Sequence, residues 1–225
     1  MDAEQKRRQY IDRLEGVVKQ MLVPFKGVPF NLVIEAMTGH RVIEFNVGNA
    51  AHRRIMDTLI DAAKIAALEM NKQGIASKRV NEVGNKIEPF VRDAISRISG
   101  CQAAVPSTST GKRKSAGYPD IEANIHGDIC YVECKTFHAD NVATTQRSFY
   151  FSPSDEFKVT RDALHFILSF EMYPTKVDFR TSAFKLLTLE SLSLDVKHEF
   201  NSDNRRLYSG KDGTRLLHEQ LIEKV

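Results

Sequence analysis

Apolar residues in the first segment of the chain fall at Tyr10, Ile11, Leu14, Val17, Val18, Met21 and Leu22. Steps of three and four put them on one stripe of a helix, so the spacing predicts a helix over 4–22, ended by Pro24. Phe30–Glu35 and Arg41–Phe45 are rich in β-formers and are separated by Thr38-Gly39, a composition that predicts a β-hairpin. Helical spacing returns at Ile55, Leu59, Ile60, Ala63, Ala66, Ala67 and Met70, with Gly74 as the stop. A further helix is expected over 80–98, where Pro89 either kinks it or marks its start, and Gly100 closes it.

The character changes at residue 101. Cys101–Val105 reads as a strand, and 106–117 as a polar loop with Lys112-Arg113-Lys114 at its centre. Strand-like runs follow at Asp120–Ile125 and Ile129–Phe137, joined by His126-Gly127-Asp128. A helix is expected over about 155–172, then strand-like runs at Val177–Phe179 and Phe184–Phe200, a turn-rich segment over 201–213 and a short C-terminal helix. This order predicts one α/β or α+β domain, a central mixed β-sheet flanked by helices.

Composition narrows the class. The 225 residues are 42% hydrophobic and 27% charged, which excludes global disorder and low-complexity chains. The longest apolar stretch, around Ala163–Phe170, is broken by His165 and Ser169 and is too short to span a bilayer, so no membrane association is expected. No apolar run follows the N-terminal Met-Asp-Ala-Glu-Gln-Lys-Arg-Arg, and three cysteines do not suggest a disulfide framework. A reduced, cytoplasmic protein is expected. A net charge of +3 permits a nucleic-acid partner without demanding one. No phosphate-cradling glycine motif or nucleophile elbow occurs, so no nucleotide cofactor is expected.

Candidate chemistry concentrates in 117–135. By the two-residue period of a strand, Cys130, Val132 and Cys134 share a face suited to a core, while Tyr131, Glu133 and Lys135 share the other. Glu133 and Lys135 are costly to bury without partners. The preceding strand supplies a candidate. With Gly127-Asp128 as a two-residue turn, Asp120 lies opposite Lys135 and Glu122 opposite Glu133; with His126-Gly127 as the turn, Asp120 lies opposite Glu133. Both registers put Asp120, Glu133 and Lys135 on one face. Two carboxylates and an ammonium at a strand end suit a hard divalent cation such as Mg²⁺, which takes one or two protein carboxylates and completes its shell with water and substrate phosphate. The lysine can orient a water beside the ion, which makes this a site for phosphodiester hydrolysis.

Pro119-Asp120 and Glu133-Cys134-Lys135 resemble the motif of the PD-(D/E)xK nuclease superfamily, and the overall arrangement most resembles type II restriction endonucleases. The resemblance implies a mixed sheet flanked by helices, Mg²⁺ dependence with Mn²⁺ as a substitute, and cleavage of double-stranded DNA. It further implies metal contact from Asp120, Glu133 and the backbone carbonyl of Cys134. Glu88 resembles the acidic residue that members often carry on a helix before the hairpin; the alternative is a solvated helix residue. Glu122 reads as a rim carboxylate. Lys112, Arg113 and Lys114, with neighbouring hydroxyls, suit phosphate contacts, and Gln146 and Arg147 can read adenine and guanine edges. Lys158 and Arg161 are expected on a helix facing phosphate or solvent, and Asn204, Arg205, Arg206 and Lys211 form a second basic segment. A palindromic site would be matched by a homodimer. The layout expected is a single nuclease domain: a largely helical part over 1–76 serving dimerisation, a catalytic core over 77–200, and a C-terminal turn and helix over 201–225. The competing readings are a repair or recombination nuclease of the same superfamily and a non-catalytic DNA- or protein-binding domain.

Overall fold

The computed structural model describes residues 2–23, 25–77, 80–141, 143, 149–197, 217 and 220, with backbone alone at 80–82 and 141. The chain forms two compact units, Gly27–Leu194 and a second built from Met1–Lys26 with Asp195–Val225. In the second unit, α1 (Ala3–Met21) opens with a capping box. The Asp2 carboxylate accepts from the Gln5 N–H at 2.7 Å, and the Gln5 side chain accepts from the Asp2 N–H at 3.3 Å. The helix expected here is present. Its stripe of Tyr10, Ile11, Leu14, Val17 and Val18 is exposed, and no residue of α1 is buried.

The hairpin expected over 30–45 is not formed. After β1 (Phe25–Pro29), residues Phe30–Thr38 make a helix, α2. Its buried residues are Phe30 and Ile34, one helical turn apart, and Gly39 caps it in the left-handed region at φ +75°. The helical period of the buried positions outweighs the β-rich composition. Residues 41–45 form no strand; Val42 makes an isolated bridge to Ala163. The next two helices match expectation as α3 (Ala50–Gln73) and α4 (Val80–Arg97), and α4 runs through Pro89.

The sheet has five strands, β2 (Cys101–Ala104), β3 (Ile121–Ile125), β4 (Asp128–Phe137), β5 (Leu164–Pro174) and β6 (Phe179–Thr188), in that spatial order. All pairs are antiparallel except β4–β5, so the sheet is mixed, as expected. The helix expected over 155–172 is replaced by an irregular segment and β5. Leu164–Phe170 is buried throughout. A strand covered on both faces reads as an unbroken apolar run, which periodicity does not distinguish from a buried helix. β6 starts at Phe179 and includes 180–183, and β7 (Ser193–Val196) pairs with β1. The turn and helix expected over 201–225 lie outside the described residues, apart from the isolated positions 217 and 220.

One sheet face packs on α3 and α4, where Leu59, Met70, Ile87 and Ile95 join Ile121, Val132 and Phe166 in a single buried cluster. The other face carries a smaller cluster around Phe30, Ile34, Tyr131 and Ile167. Phe30 meets the rings of Tyr118, Phe149, Phe151 and His165 edge-on, at centroid distances of 5.6–6.0 Å. Cys101, Cys130 and Cys134 are free and buried, in keeping with a packing role. Among the described residues, no helix is long and apolar enough to cross a membrane.

Candidate active site

Ile125 pairs with Asp128, which makes His126-Gly127 the two-residue turn of the β3–β4 hairpin. Both turn residues have positive φ, +53° and +96°, the signature of the primed turns that match strand twist. The Asn124 side chain accepts from the Gly127 N–H at 2.8 Å. The ladder ends at Ile121–Val132, and one residue further Asp120 stands across from Glu133. The second of the two expected registers is therefore the one formed. It is secured at the end of the ladder, where Asp120 Oδ2 accepts from the Cys134 N–H at 2.8 Å. Glu122 pairs with Tyr131, two residues along the strand from Asp120 and on the same face, and is half-buried.

Glu133 is 4% exposed. Its Oε1 accepts from Lys135 Nζ at 2.6 Å, while its Oε2 is buried without a hydrogen-bond partner. Burial, and then the charge of Asp120, push the Glu133 carboxyl up to about 7. Burial also raises Asp120, against the Cys134 N–H bond and the charge of Lys135. For Lys135, burial favours the neutral amine, but the charge and hydrogen bond of Glu133 outweigh it and hold the ammonium above its ordinary value. The Lys135 ammonium also lies 5.9 Å from the centre of the Phe149 ring.

Glu88 belongs to this group. It is half-buried on α4, and burial followed by the charge of Asp120 raises it to about 7, against Lys158, Lys135 and Arg92. It is not a solvated helix residue. Asp120 thus raises the proton affinity of both Glu88 and Glu133, Glu88 adds to that of Glu133, and one buried carboxylate oxygen has nothing to accept from. Oxygen donors in this state fit a hard divalent cation. Among the described residues no three His, Cys, Asp or Glu side chains meet closely enough to hold an ion by themselves.

The basic loop is a small folded hairpin. Ser107 bridges Arg113, and Thr108 N–H donates to the Lys112 carbonyl at 2.7 Å. Ser109 N–H donates to the Phe157 carbonyl at 2.8 Å. Lys112 and Lys114 both pair with Glu156. Exposed pairs of this kind contribute at most about 1 kcal/mol, so an incoming phosphate can displace them cheaply. Gln146 and Arg147 lie outside the described residues, as do Asn204, Arg205, Arg206 and Lys211.

Lys158 departs from expectation. It sits in the irregular segment before β5, on no helix, and is 3% exposed. Its Nζ donates to the carbonyls of Gly117 at 2.6 Å, Pro119 at 2.9 Å and Ser115 at 3.3 Å. Arg161, in the same segment and likewise on no helix, is exposed. Two residues beside the site are singled out by no sequence motif. The Tyr118 hydroxyl and His165 Nδ1 share a hydrogen bond of 2.6 Å, and His165 Nε2 is buried without a partner. Burial lowers His165 to about 3, so it is neutral beside the site. Its one signal in the sequence is a polar residue interrupting an apolar run.

A mixed sheet with helices against it, whose hairpin sets Asp120 across from Glu133, resembles the arrangement of PD-(D/E)xK nucleases. The model of the type II restriction enzyme MjaV family matches residues 24–211. The type II restriction enzyme MjaV of Methanocaldococcus jannaschii is 33% identical over 217 residues, which cover 89% of this chain and 94% of that protein. The chain belongs to the type II restriction enzyme MjaV family, a family of site-specific deoxyribonucleases. No solved structure matches it.

Proposed function

We propose that the chain is a Mg²⁺-dependent, cytoplasmic endonuclease that cuts double-stranded DNA at a short specific sequence as a homodimer. Asp120, Glu133 and the Cys134 carbonyl hold the ion, Lys135 orients the attacking water, and Glu88 supports the site. The observation that carries this reading is the buried, unpartnered Glu133 Oε2 across the hairpin from Asp120. Leaving a buried acceptor unsatisfied costs about 1–3 kcal/mol, and more when it is charged; a cation offsets that cost. With two carboxylates and a carbonyl, the shell is completed by water and phosphate, which is how Mg²⁺ is usually held. Mn²⁺ accepts the same donors. When bound, the ion polarises a phosphoryl oxygen and stabilises the leaving oxygen.

Lys135 remains an ammonium, so it positions water by donating to its oxygen rather than by taking its proton. Lys112, Arg113 and Lys114 contact phosphates, and Gln146 and Arg147 read base edges. The dimer contact falls to α1, because the apolar face of α3 is already buried in the core, whereas that of α1 is exposed. Long duplex DNA of mixed sequence, incubated with Mg²⁺, should yield discrete fragments. Structure-dependent nicking would instead indicate a repair nuclease, and intact DNA a non-catalytic domain.

Two further results are expected. Neutralising Lys112, Arg113 and Lys114 together should weaken binding to every duplex and flatten its salt dependence, by about 0.9 in the log–log slope for each phosphate left without its cation. An unchanged slope would place the loop outside the interface. The second concerns pH. Glu88 and Glu133 hold protons to about 7 in the folded, metal-free chain, against ordinary values of 4.5. The folded state therefore binds more protons than the unfolded one across this window, and stability falls as pH rises through it. The Tm of metal-free protein should drop between about pH 5 and pH 8, and Mg²⁺ should restore it at the upper end. A flat profile, or no restoration, would contradict the clustering of these carboxyls around an ion.

A further inference from the structure

We propose that Lys158 is a positioning residue for the carboxylate pair: its ammonium, seated among the carbonyls of Ser115, Gly117 and Pro119, locks the segment entering β3 so that Asp120 meets the ion in one geometry. The inference rests on the reading of Asp120 and Glu133 as the metal-holding pair. Lysine is almost never fully buried without a partner. Here the three N–H bonds of the ammonium find three backbone carbonyls, at 2.6, 2.9 and 3.3 Å, and no carboxylate pairs with it among the described residues.

The placement has a consequence for Asp120. Residues 114–119 form no ladder of their own, and the carbonyl of Pro119, the buried residue among them, needs a donor. Pro119 has no N–H to contribute, and its carbonyl belongs to the peptide bond that carries Asp120. One ammonium therefore supplies donors to three carbonyls just upstream of the carboxylate. Lys158 is itself held from both sides. The Phe157 carbonyl accepts from Ser109 N–H at 2.8 Å, and Thr160 N–H donates to the hydroxyl of Tyr131, on the catalytic strand, at 3.0 Å. The tie thus runs from β4, through Lys158, to the residue preceding Asp120. A compact ammonium with rotatable donors fits three converging carbonyls; the planar fork of arginine does not.

Lys158→Met and Lys158→Arg, made in the full chain, test this. Circular dichroism melting establishes that each folds. Calorimetry with Mn²⁺ in the absence of DNA measures the ion site directly, and cleavage in Mg²⁺ gives kcat and KM. Both variants are expected to bind Mn²⁺ at least about tenfold more weakly. Their kcat should fall about 100-fold, the scale of an ångström-sized misplacement, with KM for DNA nearly unchanged. The sign of the metal effect is diagnostic. Removing a nearby cation tightens cation binding by Coulomb attraction alone, so weaker binding in Lys158→Met reports disturbed geometry. Unchanged or tighter Mn²⁺ binding in Lys158→Met, or wild-type affinity in Lys158→Arg, would overturn the proposal. If Lys158→Met does not fold, the arginine variant decides alone. Failure of the underlying reading is separate and visible: the wild-type chain would then bind no Mn²⁺, and Asp120→Ala would cleave normally.

Discussion

Asp120→Ala should lose metal-dependent cleavage by about three to four orders of magnitude, and with it the gain in DNA affinity that a divalent ion provides. A Lewis-acid ion supplies several kcal/mol of transition-state stabilisation, and each 1.36 kcal/mol is about tenfold in rate. The second half of the expectation comes from charge. The charge of Asp120 reaches both Glu88 and Glu133 and raises their proton affinity, so without a cation this group of carboxyls repels a phosphate. Ca²⁺, with ligands at about 2.3–2.6 Å against about 2.0–2.1 Å for Mg²⁺, neutralises such a site while aligning it poorly for in-line attack. Specific binding without cleavage is therefore expected in Ca²⁺, and both in Mg²⁺ or Mn²⁺. Gel shifts in Ca²⁺ and EDTA, beside cleavage in Mg²⁺, read the two effects together. An Asp120→Ala protein that still gained affinity from Ca²⁺ would place the ion elsewhere.

Lys135→Ala should separate chemistry from recognition. Its ammonium touches Glu133 Oε1 at 2.6 Å and is assigned to the water, not to base edges. Cleavage is expected to fall by about 10²–10³-fold, the range for losing one preorganised hydrogen-bond donor at a reacting centre. Specific binding in Ca²⁺ should stay within a few-fold of wild type. Affinity dropping to the non-specific level in a protein that melts normally would show that Lys135 belongs to the binding surface instead.

How much of this is legible in the sequence depends on how local each cause is. The β3–β4 hairpin is readable because its causes lie within the hairpin itself: alternating Cys130, Val132 and Cys134, a Gly-containing turn, and Asp120 placed by register. The turn is ambiguous between two pairings, and the positive φ of His126 decides it, a conformation that a non-glycine residue seldom adopts. α2 misleads because Val33 and Ile34 favour strands by composition, whereas Phe30 and Ile34 are buried on one helical face. β5 misleads because burial on both faces erases the alternation that marks a strand. Lys158 is out of reach for a different reason. Its partners lie 39 to 43 positions earlier in the chain, and nothing in a run of polar residues tells a buried lysine from a solvated one. The same holds for the Tyr118–His165 bond, which spans 47 positions.

The most direct test of a metal-dependent, sequence-specific cut at Asp120, Glu133 and Lys135 is to sequence the ends of DNA fragments. Long duplex DNA would be treated with the wild-type chain in Mg²⁺, with the same chain in EDTA, and with Asp120→Ala in Mg²⁺. The expected result is that every terminus from the first reaction shares one short sequence, and that the other two reactions yield no new termini. Termini of unrelated sequence, or the same termini appearing in EDTA or from Asp120→Ala, would contradict it.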